Sequence, residues 1–171
     1  MATRAQAMTK ISESERRPLY VMGAVLEIVI GGDQTDGTYA VAEDRSSPGF
    51  GPPPHVHTNE DEAFYVIEGE YLFGSDEGEI RAGPGTFVHA PKGHLHWWRN
   101  VGEGPGRHLE IFVPAGLERM FEEIGEPVAD PDAPPPPPDP QRLLNAAPPP
   151  PDPARLLAAA PRYGVEFKLP G

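Results

Sequence analysis

Cysteine is absent from the 171 residues. That excludes disulfides, zinc–thiolate sites and cysteine nucleophiles. Any metal site in the chain must therefore use nitrogen and oxygen ligands. Basic residues are scarce: 14 Lys and Arg stand against 26 Asp and Glu, a net charge of −12. Residues 1–125 alone carry 10 basic and 20 acidic groups. Such a balance does not provide the basic patch that nucleic acid or an anionic membrane surface requires. No run of about 18 apolar residues occurs, so no transmembrane helix is expected. The start of the chain shows no apolar signal core, and the cytoplasm is the expected location.

Histidine is concentrated where it is present. Five of the six histidines fall in two short stretches, Gly49–Gly69 and Gly85–Asn100. In the first, His55 and His57 are two apart, so in a strand both imidazoles point to the same face. Neutral imidazole is the commonest protein ligand for transition metals. Glu60, Asp61 and Glu62 each offer a carboxylate. Thr58–Asp61 has turn composition, and EAFYVIEGEYLF after it reads as a strand. Both strand faces are apolar enough that periodicity leaves the choice of carboxylate open. In the second stretch Pro91–Gly93 reads as a tight turn, followed by a strand with His94, His96 and Trp98 on one face. Either His94 or His96 can supply the distant ligand. His89 and His108 are expected to be ordinary residues, and His94 an exposed turn residue or a partner of a ligand.

The two stretches resemble the paired signature motifs of the cupin superfamily. Gly49, His55, His57, Glu62 and Gly69 meet every position of the first motif. Gly85, Pro91, Gly93, His96 and Asn100 meet every position of the second, and 15 residues separate the two. The resemblance covers about residues 18–115. It implies an all-β jelly-roll barrel or sandwich with His55, His57, Glu62 and His96 as ligands. The implied cofactor is one divalent transition metal ion, whether iron, manganese, cobalt, nickel, copper or zinc. It also implies a homodimer.

Apart from the motifs, residues 1–17 are polar and aperiodic and are expected to form a flexible arm. Leu19–Ile30 is β-branched and interrupted by Gly23, and is expected to be the first strand. Thr38–Asp44 reads as the second. Short strands with turns every eight to twelve residues follow to Val113, again the pattern of a β-barrel or sandwich. Leu117, Met120, Phe121 and Ile124 then recur at helical spacing, with Gly125 and Pro127 closing the helix. The barrel with its helix spans residues 18–125.

Residues 126–171 form a Pro-rich tail. Within it PPPPDPQRLLNAAP (135–148) and PPPPDPARLLAAAP (148–161) are tandem copies offset by 13 residues. Asp139 and Asp152 fit helix N-caps, with Pro140 and Pro153 at the first helical positions. Short helices of this kind are marginal alone. The tail is expected to be a semi-rigid linker with two helical turns; docking on its own barrel or on a partner, with RYGVEFKLP as the docking segment, is the alternative.

Three histidines and one carboxylate leave open positions on a five- or six-coordinate metal, as catalysis needs. Phe64, Val66, Phe73, Phe87 and Trp98 are expected to line an apolar mouth suited to a flat aromatic substrate. Glu62 is expected to act as ligand and general base, with burial raising its pKa. Within the superfamily, GPPPHVHTNEDEAFYVIEGE, PKGHLHWWRNVG and the tail ending RYGVEF resemble the quercetinase-like dioxygenases. Those enzymes open a flavonol ring with dioxygen and release carbon monoxide. The alternatives are an oxygen-independent metal-dependent isomerase, cyclase, decarboxylase or hydrolase, and a non-catalytic cupin that binds a small molecule.

Overall fold

A computed structural model describes residues 8–128 and 153–168. Twelve strands in these residues form two antiparallel sheets. In chain order they are β1 (Pro18–Val21), β2 (Ala24–Ile30), β3 (Ala40–Ser46), β4 (His55–His57), β5 (Asp61–Glu68) and β6 (Tyr71–Ser75). There follow β7 (Gly78–Ala82), β8 (Phe87–Ala90), β9 (His96–Asn100), β10 (Gly106–Val113), β11 (Glu126–Pro127) and β12 (Val165–Phe167). One sheet has the order β11-β1-β2-β3-β10-β5-β8 and the other β12-β4-β9-β6-β7. This is the expected all-β jelly roll. Three short helices accompany it: α1 (Gly32–Thr35), α2 (Glu118–Ile124) and α3 (Pro153–Ala159). No helix among the described residues is long and apolar enough to cross a membrane.

Alternation sets the interior. On β3 and β10 every second side chain is buried, Ala40, Ala42, Asp44 and Ser46 on one and Gly106, His108, Glu110 and Phe112 on the other. Strands with this period place one face on the core. Two apolar clusters result. Phe64, Val66, Tyr71, Phe73 and Trp98 fill the space between the sheets. Leu26, Phe112, Leu117, Met120, Phe121 and Ile124 close one end, where the apolar stripe of α2 packs.

Two expectations are corrected. Leu19–Ile30 is not one strand. Met22 and Gly23 both take positive φ, 51° and 103°, and form a two-residue turn of the kind that joins hairpin strands. β1 then folds back on β2, pairing Val21 with Ala24 and Leu19 with Leu26. The tail, for its part, is more than a linker. Its described segment packs on the chain's own barrel. Leu156, Ala159, Ala160 and Val165 join the cluster beneath α2. Glu123 of α2 accepts hydrogen bonds from Tyr163 Oη (2.8 Å) and Arg162, and its carbonyl accepts one from Arg155 (2.7 Å). The apolar side chains of the second repeat had a surface to bury against, which decides between the two alternatives. Asp139, Pro140, Leu143, Leu144 and Asp152 lie outside the described residues. In the expected N-terminal arm, Arg16 pairs with Glu43 at 3.1 Å.

The tail reaches the histidine strand. β12 pairs antiparallel with β4, with Val165 opposite His57 and Phe167 opposite His55. Gly164, at φ 77°, makes the turn, a conformation in which a side chain is strained. Its carbonyl accepts the Thr58 N–H at 2.8 Å, while Asn59 Nδ2 donates to the Tyr163 carbonyl at 3.1 Å.

Candidate metal centre

β4 buries its first and third residues, so His55 and His57 face inward together. β9 lies beside β4 and pairs His96 with His55. β5 comes in from the other sheet and buries Glu62, Phe64 and Val66 on its inner face. One nitrogen or oxygen from each of His55, His57, Glu62 and His96 lies within 4.8 Å of all the others. All four side chains are buried, none more than 6% exposed. These four residues could hold a metal ion.

The alternatives left open by periodicity separate clearly. Asp61 points outward and accepts the Lys92 N–H at 2.8 Å. Glu60 is buried in the turn, and His57 Nδ1 lies 2.6 Å from its Oε1. His94 is exposed in the turn before β9, and only its carbonyl takes part, 3.1 Å from His96 Nδ1. His89 is likewise exposed.

Each histidine is anchored through Nδ1. His55 Nδ1 donates to the Pro53 carbonyl at 2.9 Å, His57 Nδ1 to Glu60 and His96 Nδ1 to the His94 carbonyl. An anchored Nδ1–H fixes the tautomer and leaves Nε2 as the ligand atom. Nε2 of His96 and of His57 lie 2.9 and 3.1 Å from Glu62 Oε2. Three buried imidazoles converging on one carboxylate oxygen are the donor set a divalent transition metal takes.

Protonation in the metal-free cluster follows from crowding. Burial, with His96 and His57 alongside, pushes His55 down to about 3. Burial also disfavours a charged His57, but the carboxylates of Glu62 and Glu60 outweigh it and raise His57 to about 10. Burial alone would raise Glu62, as expected from its apolar strand. His57 and His96 overcome that and hold it below the usual carboxylate range, which corrects the expectation for this residue.

Of the residues expected to line the mouth, Phe64, Val66, Phe73 and Trp98 share one buried cluster, from which the three aromatics border different cavities. Trp98 lines a cavity of about 40 Å³ that also touches His55, His57 and Glu62. Phe64 and Phe73 line a second cavity, of about 280 Å³, that reaches His96. Val66 is fully buried in the core between the sheets. Phe87 is 59% exposed: β8 turns Val88 and Ala90 inward, so Phe87 faces out opposite Tyr65. Its assignment to the mouth is thereby corrected.

Sequence reasoning missed three buried groups near the site. Asp44, His108 and Glu110 are 3%, 0% and 4% exposed, and Asp44 and Glu110 share the smaller cavity with His55, His57 and Glu62. The signal was present: inward positions on β3 and β10 carry these ionisable residues where apolar ones are expected.

Comparison with known proteins agrees with this geometry. Residues 45–112 match the family model described as a cupin domain. A protein of Bacillus subtilis strain 168 named quercetin 2,3-dioxygenase is 30% identical over 100 residues, which make up 58% of this chain and 29% of that protein. This chain therefore spans less than a third of that relative's length. Among solved structures, KdgF from Halomonas sp. superposes with a TM-score of 0.59 at 19% identity, covering 66% of this chain and 99% of that one. The polyketide cyclase RemF from Streptomyces resistomycificus superposes with a TM-score of 0.55 at 23% identity, over 63% and 80%. These two likenesses bear on the fold. Together with the paired motifs and the four converging side chains, the match over residues 45–112 shows a likeness to the cupin domain, and the chain resembles the quercetinase-like proteins.

Proposed function

We propose that the protein is a metal-dependent dioxygenase that cleaves a flavonol-like or other enolisable aromatic substrate with dioxygen. The observation that carries this reading is the buried cluster of three Nδ1-anchored imidazoles around Glu62. The 30% identity to quercetin 2,3-dioxygenase over 100 residues supports it. A transition metal ion in this cluster would supply Lewis acidity and one-electron chemistry. The remaining work falls to the protein. Glu62 accepts the enolic proton, being held ionised by its two imidazole neighbours. Trp98, Phe50 and Pro52 give the cavity an apolar wall and exclude water. Val165 and Phe167 of the tail cover the same cavity. At about 40 Å³ it is well below the roughly 300 Å³ of an ordinary ligand pocket, so this reading requires the tail to move aside when substrate enters.

The same donor set and carboxylate also suit an oxygen-independent proton transfer. Aerobic and anaerobic turnover separate the two readings. With labelled dioxygen, the dioxygenase reading predicts both oxygen atoms in the products and no substrate loss without oxygen. Equal substrate consumption in its absence contradicts it.

A further inference from the structure

The smaller cavity that touches His55 and His57 also has acidic lining. Asp44 on β3 and Glu110 on β10 both line it. Asp44 sits opposite His108, and Glu110 opposite Ala42. His108 Nε2 donates to Glu110 Oε1 at 3.3 Å. Asp44 Oδ1 is fully buried with no hydrogen-bond partner among the described residues. Ser46, His108 and Arg45 favour the charged form of Asp44, but an oxygen buried without a hydrogen bond is still costly. A ligand that donates a hydrogen bond to it removes the cost.

The rest of the wall narrows the ligand class. Among the described residues, neither Lys nor Arg lines this cavity, and Glu62 adds a third carboxyl group. A carboxylate or phosphate ligand would meet like charge there, whereas hydroxyl groups would meet acceptors.

We propose that Asp44 and Glu110 form a recognition wall for hydroxyl groups on the distal ring of a neutral, polyhydroxylated aromatic ligand whose enolic end faces the histidines. This rests on the flavonol-like reading above and extends it to substrate selection. Asp44 and Glu110 are binding residues in this account, and the chemistry stays at Glu62 and the metal cluster.

The test is calorimetric titration of the zinc-loaded full chain, in which zinc prevents turnover. The probes are quercetin and galangin, flavonols with the same enolic end; galangin lacks hydroxyls on its distal ring. The expected result is at least tenfold tighter binding of quercetin, because two hydrogen bonds to buried carboxyl oxygens are together worth about that factor. In Asp44→Asn and Glu110→Gln the preference falls toward unity while zinc stoichiometry is kept. Equal affinity of the wild type for both flavonols overturns the wall and leaves the flavonol reading standing. A preference that survives in both zinc-loaded variants also overturns it. If the wild type prefers quercetin and the variants abolish that preference, but no oxygen is consumed with the redox-active metals, the wall stands and the dioxygenase reading fails. Binding of neither flavonol overturns both. Should one variant fail to fold, the wild-type comparison and the other variant decide.

Discussion

His57 Nδ1 and Glu60 Oε1 lie 2.6 Å apart, with both side chains buried. This contact turns Nε2 of His57 toward Glu62 and fixes which nitrogen carries the proton. Glu60 therefore acts on the candidate centre through His57. We expect Glu60→Gln to weaken metal binding about 10- to 100-fold, the usual cost of losing such a partner. Competition with a metal-chelating dye measures it. Unchanged affinity in a folded Glu60→Gln protein contradicts the role.

The metal-free cluster has a pH signature. His57 is raised to about 10 from an ordinary value of 6.5. A raised histidine contributes stability that is full below about 6.5 and disappears as pH rises through about 10. In metal-free protein, the stability advantage of the wild type over His57→Gln should be largest below pH 6.5 and shrink toward pH 10. Metal must displace the same proton, so metal affinity should rise with pH over this range. Denaturant unfolding and dye competition at matched pH values check both slopes.

Much of this centre could be read from spacing. The HxH pair needs only the two-residue period of a strand, and the glycines and prolines of the motifs mark the turns that bring β4, β5 and β9 together. What could not be read was the second layer. Glu60 differs from Glu62 only by lying in the turn before β5, and strand periodicity says nothing about a turn residue. The direction of the Glu62 shift depends on His57 and then on His96, which come close to it only where the fold brings β4, β5 and β9 together. The β1–β2 hairpin was hidden because Met22, an unusual residue at positive φ, forms half of the turn. Phe87 was misplaced because the inward parity of β8 is set by its pairing with β5. Docking of the tail depends on the shape of the surface beneath α2.

Phe167 lies over the centre, its ring centroid 5.7 Å from that of His55, and lines the smaller cavity with Val165. Removing the ring should open the cavity without disturbing the ligands. We expect Phe167→Ala to speed quercetin association several-fold and to cost on the order of 1–3 kcal/mol in stability for a partly buried aromatic. Stopped-flow binding and thermal unfolding report the two effects. An unchanged association rate would mean that substrate enters on another side, for which the cavity bordered by Phe64, Phe73 and His96 is available.

Asp44 predicts an opposite pH slope. Burial raises it to about 7, with Glu110 adding to the rise and His108, Ser46 and Arg45 pulling against it. A carboxyl group raised above its unfolded value of 3.8 loses stability as pH climbs from about 4 to about 7. Relative to wild type, Asp44→Asn should gain stability across that interval, on the order of a few kcal/mol at most, and level off above it. Chemical unfolding from pH 4 to pH 8 measures the difference. A flat difference would mean that Asp44 is already paired in the folded protein.

The most direct test of the dioxygenase account is oxygen uptake with quercetin, on full-length protein loaded in parallel with iron, manganese, cobalt, nickel or copper and assayed for metal content. The account predicts uptake that scales with bound metal for at least one of these ions, one dioxygen per quercetin consumed, and loss of at least 100-fold in His96→Ala. Fully loaded protein that binds quercetin and takes up no oxygen with any of them would contradict it.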